Sequence, residues 1–120
     1  MRRKHRDLRA WQAAVELVEI VYQVTAAFPR EEVYGLTSQM RRAAVSVPAN
    51  IAEGAARRTT NELLHFLGIA SGSLSEIDTH LEVALRLGLL RDSAPLASKI
   101  DEVFALLVGL SSSLKRKLQV

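Results

Sequence analysis

Apolar side chains recur every three or four residues along almost the whole chain, which is the period of amphipathic α-helices. The first predicted helix carries two such lines, one through Leu8, Trp11, Val15, Val18 and Tyr22, the other through Leu17, Ile20, Val24 and Phe28. Together they form an apolar face wider than one core needs. A wide exposed apolar surface usually marks an interface. The sequence therefore predicts that Leu17, Ile20 and Val24 contact another subunit. Pro29 ends the helix, because the residue before a proline is pushed out of the α region.

The second helix is predicted to run from a cap at Thr37 or Ser38 to about Ala56. It contains Pro48, which has no amide hydrogen and collides with the carbonyl group of Ala44. An uncompensated proline inside a helix costs about 3 kcal/mol. Apolar spacing continues on both sides of the proline, so we expect a kink at Pro48 rather than a break.

Two further helices follow, each with a clear start signal. Thr59 with Glu62 three residues later has the spacing of a capping box, and Gly88 is a natural end for the helix that begins there. The fourth helix is predicted to begin at Asp92 or Ser93, with Pro95 in its first turn, where a missing amide costs nothing.

Four helices joined by short loops, with no strand pattern, predict an all-α fold. Short connections place consecutive helices side by side and antiparallel, so we expect an up-down-up-down four-helix bundle. The predicted single domain spans residues 1–120, and residues 1–6 are expected to form a basic, flexible tail. This length suffices to bury roughly 65% of the unfolded surface without disulfides or metals.

Composition adds limits on location and chemistry. The chain has no cysteine, which excludes disulfides, thiolate metal sites and a thiol nucleophile. No apolar run approaches the ~18 residues of a membrane span, and charged residues interrupt any signal-peptide core. We expect a soluble, cytoplasmic protein that does not associate with membranes.

The candidates for catalysis are weak. Glu62 and His65 have the Glu-x-x-His spacing of di-iron bundles, but such a site needs that motif twice. Glu76 and His80 are spaced as an exposed helical ion pair. No phosphate-binding loop is present. We expect no metal, no cofactor and no enzymatic activity.

A line of polar residues on the second helix has two interpretations. Arg42, Ser46, Asn50 and Glu53 lie on one side, and they either form a hydrogen-bonded network that satisfies backbone groups near Pro48 or present an arginine to a partner. Arg41 and Arg42 are about 100° apart on a helix, so we expect them to have different roles.

The net charge of +3 is concentrated at the chain ends. Residues 1–9 sum to +4 and residues 110–120 to +3, while the remainder sums to −4. In the predicted bundle both termini meet the turn between helices two and three, so one pole of the molecule is basic. Such charge either keeps the protein soluble or contacts phosphate groups. The candidate nucleic-acid-binding residues are Arg2, Arg3, Lys4, Arg41, Arg42, Arg57, Arg58, Lys115, Arg116 and Lys117.

Several blocks of the sequence resemble a known family. They are Leu8-Arg9-Ala10-Trp11-Gln12, the segment from Phe28 to Gln39, the segment from Arg41 to Gly54, and Gly72-Ser73-Leu74-Ser75-Glu76. These blocks are similar to those of the four-helix bundle proteins encoded by intervening sequences of bacterial 23S ribosomal RNA genes. The resemblance covers about residues 7 to 90.

The resemblance implies a non-catalytic cytosolic bundle that assembles into a homopentamer. Similar proteins include the accessory subunit of diversity-generating retroelements, which binds a reverse transcriptase and nucleic acid. The sequence thus predicts a protein that binds RNA, DNA or a ribonucleoprotein partner through its basic surface. The alternative is a protein-interaction scaffold, such as a reverse-transcriptase accessory subunit, without direct nucleic-acid contact.

Overall fold

A computed structural model describes residues 3–119 and contains four α-helices. They are α1 (Arg9–Ala26), α2 (Leu36–Ala55), α3 (Thr60–Arg86) and α4 (Ala94–Leu118), with turns of 3-10 helix at Lys4–Asp7 and Arg30–Glu32. No strand occurs within the described residues. The predicted all-α four-helix fold is confirmed.

Each helix packs on two neighbours around one core. The pairs in contact are α1 with α2, α2 with α3, α3 with α4, and α4 with α1; within the described residues, diagonally opposed helices make no comparable contact. Ser46 lies 2.8 Å from Ser73, and Lys99 lies 3.3 Å from Glu16. These pairings are those expected of antiparallel neighbours. The up-down-up-down order and the kink at Pro48 stay predictions.

The face of α1 that enters the core differs from the predicted one. The buried residues of α1 are Ala10, Ala13, Ala14, Leu17, Val21 and Thr25. Three alanines thus mark the core side, and Leu17 is fully buried with them. The prediction that Leu17 contacts another subunit is wrong for this reason, whereas Ile20 and Val24 are half-buried and pack against the core. Spacing of large apolar residues alone misplaced the centre of the face.

The start of α2 also differs from the predicted one. Thr37 and Ser38 lie inside the helix, which follows Gly35 and has no side-chain cap from that residue. Instead, the Leu36 amide donates to Glu32 Oε1 at 3.2 Å. A carboxylate four residues earlier thus supplies the acceptor that a cap normally provides. Pro48 lies inside the continuous helix and is buried.

The ends of α3 follow the predicted local signals. Thr59 Oγ1 accepts a hydrogen bond from the Glu62 amide at 3.1 Å, and its hydroxyl lies 3.0 Å from the Glu62 carboxylate. At the other end Gly88 has a φ of 71°, and the Leu89 amide donates to the Ala84 carbonyl oxygen. A glycine tolerates this left-handed conformation without a steric penalty, which ends the helix in a Schellman motif.

The Asp92 side chain forms a hydrogen bond that stabilises the loop before α4. Its Oδ1 accepts from the Ala94 amide at 3.0 Å, while the Ser93 side chain makes no cap hydrogen bond. The buried stripe of α4 consists of Leu96, Ile100, Val103 and Leu107. None of the helices within residues 3–119 combines the length and apolar character that a membrane crossing requires.

Candidate nucleic-acid interface

The basic residues singled out from the sequence divide into two groups in the structure. Arg3, Lys4, Arg57, Arg58 and the C-terminal cations Lys115, Arg116 and Lys117 form a group that we call the basic pole. Arg41 and Arg42 lie elsewhere, in a cleft between α1 and α2. The helical rise puts Arg41 and Arg57 about 24 Å apart along α2. Arg2 lies outside the described residues.

The N-terminal part of the pole is folded onto α1. The His5 ring meets the Trp11 ring edge-on, with centroids 4.9 Å apart, and the Arg6 guanidinium lies 5.3 Å from the centre of the Trp11 ring. Gln12 Nε2 donates to the Arg6 carbonyl oxygen at 2.8 Å. Residues 4–6 of the predicted flexible tail therefore lie in an ordered turn, Lys4–Asp7, for which Trp11 supplies a surface.

This turn closes one side of a groove that we call the pole groove. The groove has a volume of about 600 Å³ and is lined by Arg3, Lys4, His5, Ala49, Ala52, Glu53, Ala55 and Ala56. Four of these residues are alanines, three from the last turns of α2 and Ala56 directly after it, so the floor of the groove is uncharged. Arg3 and Lys4 are exposed at its edge, and Glu53 is its only carboxylate within the described residues.

The turn between α2 and α3 holds its two arginines differently. Arg57 Nη2 pairs with Glu53 Oε1 at 2.8 Å, and the guanidinium lies 4.9 Å from the centre of the Phe66 ring. Its charge is partly compensated. Arg58 is exposed and has no ion pair within residues 3–119. Arg58 is therefore the more available cation of the two.

The C-terminal cations lie at the same end of the bundle. Leu8 and Ala10 share a small apolar cavity with Leu106 and Leu110, so the start of α1 lies against the late part of α4. Lys115, Arg116 and Lys117 are exposed and occupy the last turn of α4 beyond that contact. Cations there also stabilise the carbonyl end of the helix.

The second group lies in a cleft of about 710 Å³, which we call the arginine cleft. Its lining includes the three arginines Arg30, Arg41 and Arg42, and no carboxylate among the described residues. Apolar and hydroxyl side chains complete it: Tyr22, Thr25, Ala26, Phe28, Val33, Thr37, Ser38 and Val45. Arg41 and Arg42 both line this cleft, although they point about 100° apart around the axis of α2. The expectation that they have separate roles stays a prediction.

Arg41 is fixed in place by α1. Its Nε donates to Thr25 Oγ1 at 2.8 Å, Nη2 lies 3.5 Å from the Tyr22 carbonyl oxygen, and the guanidinium lies 4.4 Å from the centre of the Tyr22 ring. The Thr25 hydroxyl in turn donates to the Val21 carbonyl oxygen at 2.7 Å. Arg42 is exposed and unpaired within the described chain. Thus α1 holds the Arg41 guanidinium in place, whereas the Arg42 guanidinium has no ion-pair partner within the described residues.

The predicted polar line on α2 separates into parts. Asn50 Nδ2 donates to the carbonyl and hydroxyl oxygens of Ser46, whose hydroxyl also bonds to Ser73 of α3. These residues form a structural network between α2 and α3. Arg42 and Glu53 are not part of it, and Asn50 binds the Ser46 carbonyl rather than the Ala44 carbonyl that lost its donor to Pro48.

The histidine candidates have structural surroundings. Glu62 serves the cap of α3, and His65 is exposed beside Phe66. His80 is buried, not exposed as its pairing with Glu76 predicted: the side chain is 9% exposed, with Nε2 3.6 Å from Glu76 Oε2. Burial lowers the pKa of His80, and Glu76 offsets part of that effect. The described residues contain no group of three or more His, Asp or Glu side chains that could hold a metal ion.

Sequence reasoning missed three residues of the arginine cleft. The sequence patterns single out neither Arg30 nor Thr25, and they place Tyr22 only on an apolar line of the first helix. The available signal was their spacing, since Tyr22 and Thr25 lie three residues apart and so share a side of α1. Their meeting with Arg41 depends on how α1 and α2 pack.

The comparison with known families gives one match. A search of curated proteins finds no relative of this chain. Residues 6–109 match the model of the 23S rRNA-intervening sequence protein family. The matched region includes all of α1, α2 and α3, most of α4 and the arginines of both clusters apart from the terminal ones. The chain belongs to the 23S rRNA-intervening sequence protein family.

Proposed function

We propose that this protein is a non-catalytic, cytoplasmic bundle that binds RNA or a ribonucleoprotein partner through the basic pole. The observation that carries the proposal is the collection of exposed cations around one groove with a floor of alanines. Arg3 and Lys4 border the pole groove, Arg58 lies beyond the end of α2, and the C-terminal cations lie on the same end. Membership of a family encoded with ribosomal RNA supports RNA as the nucleic acid.

The pole suits contacts with the phosphate backbone better than base recognition. Its cations lie on segment ends and turns, and its aromatic rings Trp11 and Phe66 are already covered by Arg6 and Arg57. These two rings therefore offer bases less surface on which to stack. Phosphate contacts are sequence-independent and release counterions, so binding should weaken log-linearly as salt rises.

Oligomerisation would strengthen such binding. The resemblance implies a homopentamer, in which Ile20 and Val24 remain candidate interface residues because they are half-buried in the single chain. Several copies of the pole on one particle convert a weak contact into a multivalent one, which can raise affinity about 10²- to 10⁴-fold.

The test is binding of a fluorescently labelled, structured RNA across a series of salt concentrations. The double variant Arg57→Glu/Arg58→Glu should bind at least about tenfold more weakly at low salt. Its salt slope should fall by about 1 to 2, because Arg58 contributes fully and Arg57, which pairs with Glu53, contributes only in part. Arg86→Glu/Arg91→Glu is the matched control, because Arg86 pairs with Glu82 as Arg57 does with Glu53 and Arg91 is exposed like Arg58. Light scattering checks that the oligomer mass is unchanged.

Three outcomes would reject the proposal. Binding that is absent at low salt, or independent of salt, would favour the alternative of a protein-interaction scaffold such as a reverse-transcriptase accessory subunit. Equal losses in the two double variants would mean that overall charge, not the pole, sets the affinity. A collapse of oligomer mass in Arg57→Glu/Arg58→Glu alone would assign these arginines to a subunit interface.

A further inference from the structure

We propose that the arginine cleft is a separate binding site for a small phosphorylated ligand of nucleotide size. The inference does not depend on RNA binding at the basic pole. It rests on three arginines from two chain segments that line one cleft, on the fixed position of Arg41, and on apolar residues that line the same cleft.

The charge of the cleft is uncompensated. Arg30 comes from the 3-10 turn after α1, and Arg41 and Arg42 come from the second turn of α2. The nearest acidic groups along the chain, Glu31 and Glu32, do not line the cleft, and Glu32 accepts a hydrogen bond from the Leu36 amide. Three guanidinium groups with no carboxylate among them repel one another. A multiply charged anion removes that repulsion.

Arg41 has the features of an arginine organised for recognition. Thr25 binds its Nε, Nη2 lies 3.5 Å from the Tyr22 carbonyl oxygen and the Tyr22 ring supports one face of the guanidinium. These contacts leave Nη1 and the outer N–H of Nη2 to donate to a ligand. A guanidinium held this way presents donors in a fixed fork that matches two oxygens of a phosphate group. Fixing a long side chain in advance also reduces the entropy lost when the ligand binds.

The volume of the cleft and its other lining residues indicate the size and polarity of the ligand. A volume of about 710 Å³ lies in the range of small-molecule sites, and Val33, Val45 and Phe28 supply apolar surface. The hydroxyl-bearing residues Thr37 and Ser38 lie at the same cleft and add possible donors. A bare inorganic ion would leave the apolar lining unused, so we infer a phosphate or diphosphate attached to a less polar group.

The probes are ADP, pyrophosphate and adenosine, measured by isothermal titration calorimetry at low ionic strength. ADP and pyrophosphate should bind saturably and adenosine should not, with ADP the tighter of the two. Arg41→Lys, which keeps the charge but loses the fork, should weaken ADP binding by about tenfold or more. Arg42→Ala should act similarly and is free of any packing role, since Arg42 is exposed.

The control is Arg91→Ala, which removes an exposed arginine that lies outside the cleft. It should leave ADP binding unchanged. The proposal is overturned if the wild-type protein binds neither ADP nor pyrophosphate, or if Arg42→Ala and Arg91→Ala weaken binding equally. It is also overturned if Arg42→Ala reduces RNA affinity as much as Arg57→Glu/Arg58→Glu does, because the cleft would then belong to the RNA surface.

Discussion

At the basic pole, Arg3, Lys4 and Arg58 extend into solvent from segment ends, whereas in the arginine cleft α1 fixes Arg41 from two sides. The pole contains a carboxylate, Glu53, that already pairs with one of its arginines. The cleft contains none among the described residues. The pole, with seven cations, and the cleft, with three, thus differ in how their side chains are held and in how their charge is compensated.

That difference predicts different kinds of binding. Exposed cations that nothing holds in place can contact the phosphates of a polyanion of almost any shape. Salt screens their contribution to the binding free energy. A fixed guanidinium favours one arrangement of oxygen atoms, because ordering a free arginine would cost about 2 kcal/mol of side-chain entropy. The pole is suited to a backbone and the cleft to a defined small anion.

The largest expected effect comes from Gly54, which supports the pole but not the cleft. A Cβ at this position would lie 2.8 Å from Phe66 Cβ and 2.9 Å from Leu63 Cδ1. Because Phe66 Cβ is fixed to its backbone, α2 and α3 must move apart. We expect Gly54→Ala to lower the free energy of unfolding by about 1–2 kcal/mol, with overpacking outweighing the better helix propensity of alanine. Urea denaturation followed by circular dichroism measures it.

Gly68→Ala is the matched control for this substitution. Gly68 is exposed on α3 and a Cβ there would meet nothing within 4 Å. Alanine should therefore stabilise the protein by about 0.5–1 kcal/mol. Gly54→Ala should also weaken RNA binding while leaving ADP binding in the cleft intact. If both alanine variants are stabilised, the close approach of α2 and α3 is not as described.

Local signals predicted the ends of the helices well where one short motif decides the outcome. Thr59 and Glu62 form the capping box that their spacing indicated, and Gly88 adopts the left-handed conformation expected after α3. Both depend on neighbours within a few residues. The start of α2 was missed because its acceptor is Glu32, a carboxylate outside the usual cap position.

Features that depend on packing between helices could not be predicted in the same way. The core side of α1 is marked by alanines, which a search for large apolar residues overlooks. The basic pole was predicted from the chain ends, but the arginine cleft was not, because it requires Arg30 and Tyr22 to meet Arg41 across two elements. Periodicity gives the faces of a helix and does not say which side chains meet.

A smaller effect is expected from a substitution of Thr25, because it tests directly whether the fixed position of Arg41 contributes to binding in the cleft. Thr25→Val keeps the shape of the side chain but removes the hydroxyl that binds Arg41 Nε. Loss of the hydrogen bonds should lower the free energy of unfolding by about 1 kcal/mol. ADP binding should weaken about 2- to 10-fold, because Arg41 must then be ordered by the ligand. RNA binding at the pole should not change.

The control for Thr25→Val is Thr79→Val on α3. Thr79 makes the same helical hydrogen bond, to the carbonyl oxygen of Ser75 at 3.0 Å, but it contacts no arginine. Calorimetry should therefore detect no loss of ADP affinity in Thr79→Val. If ADP binds Thr25→Val as tightly as the wild type, preorganisation of Arg41 does not contribute to the cleft.

The smallest expected effect tests compensation at the pole. Glu53→Gln removes the carboxylate that pairs with Arg57, where both side chains are about half exposed. An exposed pair of this kind contributes about 0.3–0.5 kcal/mol, so stability should hardly change. The freed charge should raise RNA affinity and steepen the salt slope by up to about 0.9. Glu82→Gln releases Arg86 from an equivalent 2.8 Å pair on α3, and it should leave the slope unchanged. Equal slopes in both variants would show that Arg57 does not contact phosphate, and the RNA surface would then be confined to Arg58 and the chain ends.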